Sequence, residues 1–204
     1  MNIKDKLDEY LEFNSDKLFE LSQNLVRIFG GSIRDIIAGQ SINDIDILCG
    51  SKSLKYVEFV LEKNGYQFMQ ELNGKDLQVM YSDINIINEP HTWIKGTKIV
   101  QVIRPVIYEP STETKTNYYE EGFKDLISNV DFSCCGVSWD GELHEDYPNA
   151  ISHCQNKVFS VNLFAKMYSQ KRAQHRKVKL ENRGWKEVEN KHDINRGLKL
   201  DLLV

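Results

Sequence analysis

The sequence predicts an α+β fold with a short helical extension at its C-terminal end. Apolar residues recur at helical spacing near the N-terminus, Asp44–Leu48 alternates polar and apolar residues, and Lys98–Arg104 is rich in isoleucine and valine. A chain of 204 residues can bury one substantial core. We therefore expect a main domain over residues 1–160, which includes two N-terminal helices, and a basic helical extension over residues 161–204.

The elements follow from periodicity and from the residues at their ends. Helices are predicted over 3–13, over a short stretch after Asn14-Ser15-Asp16, over Ser32–Ala38 capped by Gly39, over Leu54–Lys63 ended by Gly65, and from Val161 onward. Strands are predicted over Val26–Phe29, Asp44–Leu48, Tyr66–Gln70, Leu77–Tyr81, more weakly Ile84–Ile87, Lys98–Arg104 halted by Pro105, and Phe132–Trp139 turned at Asp140-Gly141. Residues 109–121 combine turn formers and charges with little apolar content, which is typical of a mobile loop.

Composition excludes several classes of protein. The four cysteines show no CxxC pair and no histidine at zinc-finger spacing, so they are predicted to be buried thiols rather than zinc ligands or disulfides. The sequence has no apolar run of about 18 residues or more, and its N-terminus is acidic and amphipathic. We therefore expect a soluble, cytoplasmic protein without a membrane partner.

Charge is distributed unevenly along the chain. The formal net charge is −4, yet residues 166–186 contain eight lysines and arginines and the single acid Glu181. A basic helix of this kind is suited to nucleic-acid phosphates, and the alternative is an ordinary solvated helix surface. The candidate RNA-binding residues are Lys171, Arg172, Arg176 and Lys177.

Asp44 and Asp46 are the candidate catalytic and metal-binding residues. They are two positions apart on a predicted strand, so their side chains leave the same face about 6–7 Å apart. Such a pair repels itself unless a cation lies between the carboxylates. Divalent ions there would activate an attacking hydroxyl and stabilise a leaving pyrophosphate, and Mg²⁺ suits hard oxygen ligands. Alone, an Asp-x-Asp pattern is equally compatible with an exposed acidic strand face.

A glycine turn precedes the carboxylates. Gly30-Gly31-Ser32 closes a strand and opens a helix, where glycines let a phosphate approach the backbone N–H groups. Ser32 is a candidate helix cap and phosphate donor. The combination of strand, glycine turn, helix and Asp-x-Asp strand is more informative than either motif alone.

The segment GGSIRDIIAGQSINDIDI resembles the signature of class II tRNA nucleotidyltransferases (CCA-adding enzymes) and bacterial poly(A) polymerases, members of the polymerase-β-like nucleotidyltransferase superfamily. The matching positions are Gly30, Gly31, Arg34, Asp35, Gly39, Asp44 and Asp46. The resemblance implies a head domain in which helices flank a mixed sheet and the two aspartates hold the metal. It also implies that Gly30, Gly31 and Ser32 bind nucleotide, with Arg34 and Asp35 as a charge pair that braces the nucleotide site.

A second segment, Val130–Gly141, resembles the family's Arg-Arg-Asp-Phe-Thr-x-Asn-Ala motif and the strand after it. Asp131 aligns with the acid that contacts the nucleotide ribose. Asn129 and Val130 stand in place of the two arginines, and Cys135-Gly136 replaces Asn-Ala. The resemblance therefore implies a nucleotide-binding role for Asp131 in a motif that has lost its basic residues.

Other departures narrow the expected activity. The chain has no counterpart of the family's nucleobase-selecting Glu-Asp-x-x-Arg motif or of its tRNA-gripping domains, so faithful CCA addition is not expected. Where the superfamily often has a third carboxylate, Lys98–Arg104 offers Gln101 and Arg104 instead. Asp83 and Asp131 are the alternative third acids. Arg104 is a candidate phosphate ligand, with a surface ion pair as the other interpretation.

The sequence thus predicts a nucleotidyltransferase that uses an NTP (ATP or CTP) and Mg²⁺, with Mn²⁺ as the alternative ion. The expected acceptor is an RNA 3′ end, of tRNA or another RNA, which the family and the basic helix favour. A protein or small-molecule hydroxyl, favoured by the missing tRNA-binding domains, is the alternative acceptor. A catalytically weak module that binds nucleotide or RNA is the competing class. The sequence leaves the oligomeric state open.

Overall fold

A mixed β-sheet organises the chain. The computed structural model describes residues 2–20, 26–69, 86–109, 114–117, 123–128, 130–162 and 170–189. Within these ranges the sheet strands are β1 Val26–Phe29, β2 Asp44–Cys49, β3 Gln67–Phe68, β4 Ile86–Lys95, β5 Lys98–Glu109, β6 Thr114–Asn117, β7 Val137–Trp139 and β8 Leu143–Glu145. The strand order is β3-β4-β5-β2-β1-β7-β8, with β6 paired to β5. The β2–β5 pair is parallel and the other neighbours are antiparallel.

Helices flank this sheet, as predicted. In the described ranges they are α1 Ile3–Leu11, α2 Gly31–Ile37, α3 Ser51–Lys63, α4 Phe123–Ser128, α5 Ala150–Asn156 and α6 Gln170–Asn182, with 3₁₀ turns at Ser15–Leu18 and Ser133–Cys135. Two short parallel strands, β9 Val158–Phe159 and β10 Lys186–Glu187, join the segment before α6 to the segment after it. Throughout the described ranges, every helix is too short or too polar to cross a membrane.

The main core lies on one face of the sheet, because the strands alternate. Ile45 and Ile47 of β2 are fully buried there, beneath α1, α2 and α3. The opposite face carries Asp44, Asp46 and Leu48, and we call it the carboxylate face. Helix α4 packs on Leu48 at one end of this face. The Asp44 end is exposed.

Pro105 does not end β5, which corrects the predicted strand boundary. Pairing between β2 and β5 stops at Ile103, and pairing between β6 and the same edge of β5 begins at Val106. A proline cannot donate a ladder hydrogen bond, and none is required at the gap between two partner strands. The strand therefore continues to Glu109.

Several other boundaries differ from the prediction because tertiary pairing overrides weak local patterns. Residues 114–117, placed in a loop by their polarity, form β6 against the backbone of β5. The weak Ile84–Ile87 strand becomes the long β4, α3 begins at Ser51 rather than Leu54, and α4 and α5 were not predicted. The predicted Leu77–Tyr81 strand lies outside the described residues, and the domain division at residue 160 stays a prediction.

Candidate active site

Asp44 and Asp46 lie together on the carboxylate face. Asp44 is exposed and Asp46 is half-buried, whereas Ile45 and Ile47 point into the core. The strand geometry separates the two side chains by about 6–7 Å along the backbone. Because Ile45 and Ile47 are buried in the core, the alternating side chains of Asp44 and Asp46 both project from the opposite face of the sheet.

Gln101 is the register neighbour of Asp46. The two residues pair across the parallel β2–β5 ladder, so their side chains share the carboxylate face. No group of three or more histidines, cysteines, aspartates or glutamates suited to a metal occurs among the described residues. Asp83, one candidate third acid, lies outside them. Two carboxylates fit a magnesium ion that keeps waters and substrate phosphates in its shell.

Arg104 occupies a different position from the one its predicted role suggests. It follows Gln101 by three residues on a regular strand, and alternation places it on the opposite face from Asp46. This placement does not bring Arg104 and the aspartates together, so its phosphate-binding role stays a prediction without geometric support.

The glycine turn joins β1 to α2. Gly30 is the N-cap of α2 with φ 71° and ψ −126°, a conformation that side-chain-bearing residues rarely adopt. Its N–H donates to the Val137 carbonyl at 3.0 Å, which ties the turn to the strand beside β1. Ser32 is not the helix cap that the sequence suggested: it lies inside the first turn, is buried, and donates its hydroxyl to the Phe29 carbonyl at 3.4 Å.

The two glycines should therefore respond differently to alanine. Gly30→Ala has open space for its methyl group but must hold a positive φ, so we expect unfolding to become easier by roughly 1–3 kcal/mol. In Gly31→Ala the added methyl group meets the Arg34 guanidinium, with Nη2 at 3.6 Å and Cζ at 4.0 Å; both are ordinary contacts, so the melting temperature should match wild type. If phosphate approaches the Gly31 backbone, NTP affinity should nevertheless fall in Gly31→Ala. Thermal melts and NTP titrations of the pair check this, and equal stability of the two variants would contradict it.

Arg34 and Asp35 form a buried charge pair. Nε of Arg34 donates to Asp35 Oδ1 at 2.8 Å, and Nη1 of Arg183 from the C-terminal segment donates to Asp35 Oδ2 at 2.9 Å. The Arg34 guanidinium also lies over the Trp185 ring, 5.4 Å from its centroid. Trp185 in turn donates to the Gln40 side chain at 3.0 Å. The predicted bracing pair is thus the joint at which the C-terminal segment meets α2.

Cys135 adjoins this joint and is partly exposed, whereas the other three cysteines are buried thiols. Nη1 of Arg34 donates to the Cys135 sulfur at 3.3 Å. The pKa of Cys135 is lowered to about 6, mainly by a hydrogen bond from the Cys134 thiol and then, against burial, by the charges of Arg34 and Arg176. Burial lowers the Arg34 pKa, but the neighbouring Cys135 and Asp35 outweigh it, so that the net shift is upward.

Asp131 is buried beside helix α6 of the C-terminal segment. Its Oδ2 accepts a hydrogen bond of 2.6 Å from Nη1 of Arg176 on α6. The Asp131 side chain is 7% exposed and the Arg176 side chain 47%. The structure therefore unites a residue predicted to bind ribose with one predicted to bind RNA.

The basic helix presents a mixed surface. Ala173 and Leu180 face the protein, while Lys179 is exposed. Lys177 forms a hydrogen-bonded ion pair with Glu187. The side chains of Lys171 and Arg172 lie outside the described part of the chain. Two of the four candidate RNA-binding cations are thus engaged within the protein, and RNA binding by the helix stays a prediction.

Arg183, Gln40 and Trp185 were not identified by sequence reasoning. Their contacts join positions more than 140 residues apart. No local spacing predicts such pairs, although the high charge density around Arg183 was visible.

This arrangement of sheet, glycine turn and paired aspartates can be compared with known proteins. The sequence model of the Gabija anti-defense 2 family matches residues 1–171. The chain belongs to the Gabija anti-defense 2 family. No curated protein matches this family member.

Solved structures with a similar fold include CCA-adding enzymes and a tRNA nucleotidyltransferase. A CCA-adding enzyme with CTP has a TM-score of 0.62 at 17% identity, over 93% of this chain and 44% of the enzyme. The Thermotoga maritima CCA-adding enzyme complexed with tRNA has a TM-score of 0.60 at 16% identity, over 93% and 43%. A tRNA nucleotidyltransferase with primer tRNA and an ATP analog has a TM-score of 0.53 at 14% identity, over 91% and 51%. The chain spans about half the length of these enzymes or less.

At sequence identities this low, similarity to these enzymes shows a shared fold and no more. The Gabija anti-defense 2 protein has a nucleotidyltransferase fold, and the predicted α+β architecture is confirmed. The family itself is the Gabija anti-defense 2 family rather than the CCA-adding enzymes or poly(A) polymerases to which the first motif pointed.

Proposed function

We propose that this Gabija anti-defense 2 protein is a Mg²⁺-dependent nucleotidyltransferase that moves a nucleoside monophosphate from an NTP to a hydroxyl acceptor. The observation that carries the proposal is the pair Asp44 and Asp46 on the carboxylate face of a nucleotidyltransferase fold, one strand away from the Gly30-Gly31 turn. Two carboxylates this close on one strand face repel each other, and a divalent cation between them offsets that repulsion.

Each residue of the site has a defined task in this scheme. Asp44 and Asp46 would hold Mg²⁺, with Mn²⁺ as the alternative; when bound, the ion supplies positive charge to the reacting phosphate oxygens and lowers the pKa of the attacking hydroxyl. The backbone N–H groups of Gly31 and Ser32 would meet the triphosphate, since the Gly30 N–H already donates to Val137 and the Ser32 hydroxyl to Phe29.

The remaining residues orient the substrate. Asp131 orients the ribose, and Arg34 with Asp35 keeps α2 in place. The acceptor oxygen bonds to the α-phosphorus and its proton passes to water. The bond from the α-phosphorus to the bridging oxygen breaks, and pyrophosphate leaves with that electron pair.

Family membership favours an acceptor hydroxyl on a protein of the Gabija defence. The family is named for action against that defence. Two of the candidate RNA-binding cations, Arg176 and Lys177, are already paired with Asp131 and Glu187.

An RNA 3′ end is the second candidate acceptor. Similar folds are known with tRNA, with CTP and with ATP. In this case, affinity for RNA should fall steeply with salt, with a log–log slope near −0.7 per neutralised phosphate on a single strand. Charge reversal at Lys171 and Arg172 should flatten that slope while NTP affinity is retained.

The acceptor can be identified by transfer of label. The full chain is incubated with Mg²⁺ or Mn²⁺, each α-³²P-labelled NTP, and either the purified Gabija proteins or total RNA. We expect label from ATP or CTP in a Gabija protein, and label in RNA would select the second candidate. NTP binding without label in any fraction would support a catalytically weak binding module and contradict the proposed transfer.

A further inference from the structure

The motif around Asp131 lacks the basic residues expected beside it. The aligned family motif has two arginines before the acid, whereas this chain has Asn129 and Val130. Val130 is apolar and partly exposed. A site for a polyanionic nucleotide would therefore be short of positive charge if only local sequence contributed.

The fold supplies a cation from elsewhere. Arg176 on α6 lies 45 positions away in sequence, and its Nη1 is 2.6 Å from Asp131 Oδ2. The carboxylate is almost fully buried, so this partner offsets a charge that would otherwise be costly to bury. The hydrogen bond occupies one carboxylate oxygen and sets the rotamer of Asp131. The second oxygen can then accept hydrogen bonds from hydroxyl groups.

A second arginine contacts the same segment. Arg34 on α2 donates to Cys135, four residues after Asp131. Arg34 is 9% exposed and bonded to Asp35, so it braces the segment from within. The Arg176 side chain, in contrast, is half-exposed. Of these two arginines, Arg176 is the one that can meet a ligand.

We propose that Arg176 belongs to the nucleotide site, where it positions Asp131 for the ribose and supplies the positive charge that Asn129 and Val130 do not. The ligand is the sugar of a nucleoside triphosphate, so this inference rests on the proposed function. Helix α6 then completes the site by docking, and Arg176 is a positioning residue rather than an RNA contact.

Lys177 provides a matched control. It is the next residue on α6 and carries the same charge, but it pairs with Glu187 of β10. Lys177→Gln therefore removes one cation from the helix without affecting Asp131. A general electrostatic effect would make Arg176→Gln and Lys177→Gln behave alike.

The test compares ATP with dATP in equilibrium titrations of the full chain with Mg²⁺. We expect Arg176→Gln to weaken ATP binding about tenfold, typical of a lost hydrogen bond to a charged group, and dATP binding much less. The ATP:dATP preference should collapse equally in Asp131→Asn, and the double variant should be no worse than either single one. Arg176→Lys should restore part of the preference. Val130→Arg, added to Arg176→Gln, should also restore part of it by placing an arginine next to Asp131.

Several outcomes would overturn the inference. One is an unchanged ATP:dATP preference in Arg176→Gln, and another is an equal loss in Lys177→Gln. If Arg176→Gln melts early, the decision passes to the Val130→Arg rescue and to Arg176→Lys, and failure of both to recover the preference counts against the proposal. Wild-type protein that binds no NTP would overturn the proposed function as well, which distinguishes the two failures.

Discussion

Asp44→Asn and Asp46→Asn should each reduce nucleotidyl transfer by more than about 100-fold, beyond the loss usual for residues that only support a metal ligand. Each change removes one carboxylate of the Asp44–Asp46 pair on the carboxylate face. Without metal, the melting temperature should equal or exceed that of wild type, because one partner of a repelling pair is gone. Steady-state transfer assays and metal-free thermal melts measure the two effects.

The matched control is Glu62→Gln on the exposed side of α3, which removes the same charge outside the carboxylate face. Its turnover should equal that of wild type. Undiminished transfer in either aspartate variant would eliminate the assignment of Asp44 and Asp46. A fall in metal-free melting temperature would instead show that the two carboxylates are structural.

The second large effect concerns stability. Asp35→Asn leaves Arg34 and Arg183 without their shared counter-charge at the joint between α2 and the C-terminal segment. Breaking a buried ion pair in this way costs about 3–5 kcal/mol, so we expect a lower midpoint in urea and early cleavage by proteases after α6. Denaturant titration with proteolysis provides the measurement.

Glu9→Gln serves as the comparison for this change. It disrupts the exposed Lys6–Glu9 pair on α1, which should leave the urea midpoint unchanged because surface pairs contribute little. If Asp35→Asn behaves like Glu9→Gln, the buried pair is not the joint that the contacts indicate.

The signals read correctly from the sequence were short-range ones. Strict alternation over Asp44–Leu48 placed both aspartates on one face, because side chains on a strand alternate with a period of two. The glycine turn was found from two residues, and Gly30 does adopt a positive φ. Both features depend on neighbours within a few positions, so the local pattern contains the information.

Strand boundaries that depend on a partner strand were predicted wrongly. Pro105 looked like a strand end, but whether a proline ends a strand depends on the partner at its edge. Thr114–Asn117 looked like a loop, yet its backbone completes the edge of β5. In each case the decisive partner is distant in sequence, and a propensity scale cannot represent it.

The sequence alone determined the fold class, the glycine turn and the two carboxylates on one strand face. Only the tertiary structure decided which distant residues meet at the site. Gln101 lies beside Asp46 on the neighbouring strand, Arg176 pairs with Asp131, and Arg183 pairs with Asp35. The fold class, the glycine turn and the carboxylate pair follow from the local periodicity of helices and strands. The pairings between distant residues depend on where distant segments meet, and in this chain Arg183, just after α6, contacts Asp35 of α2, 148 positions away.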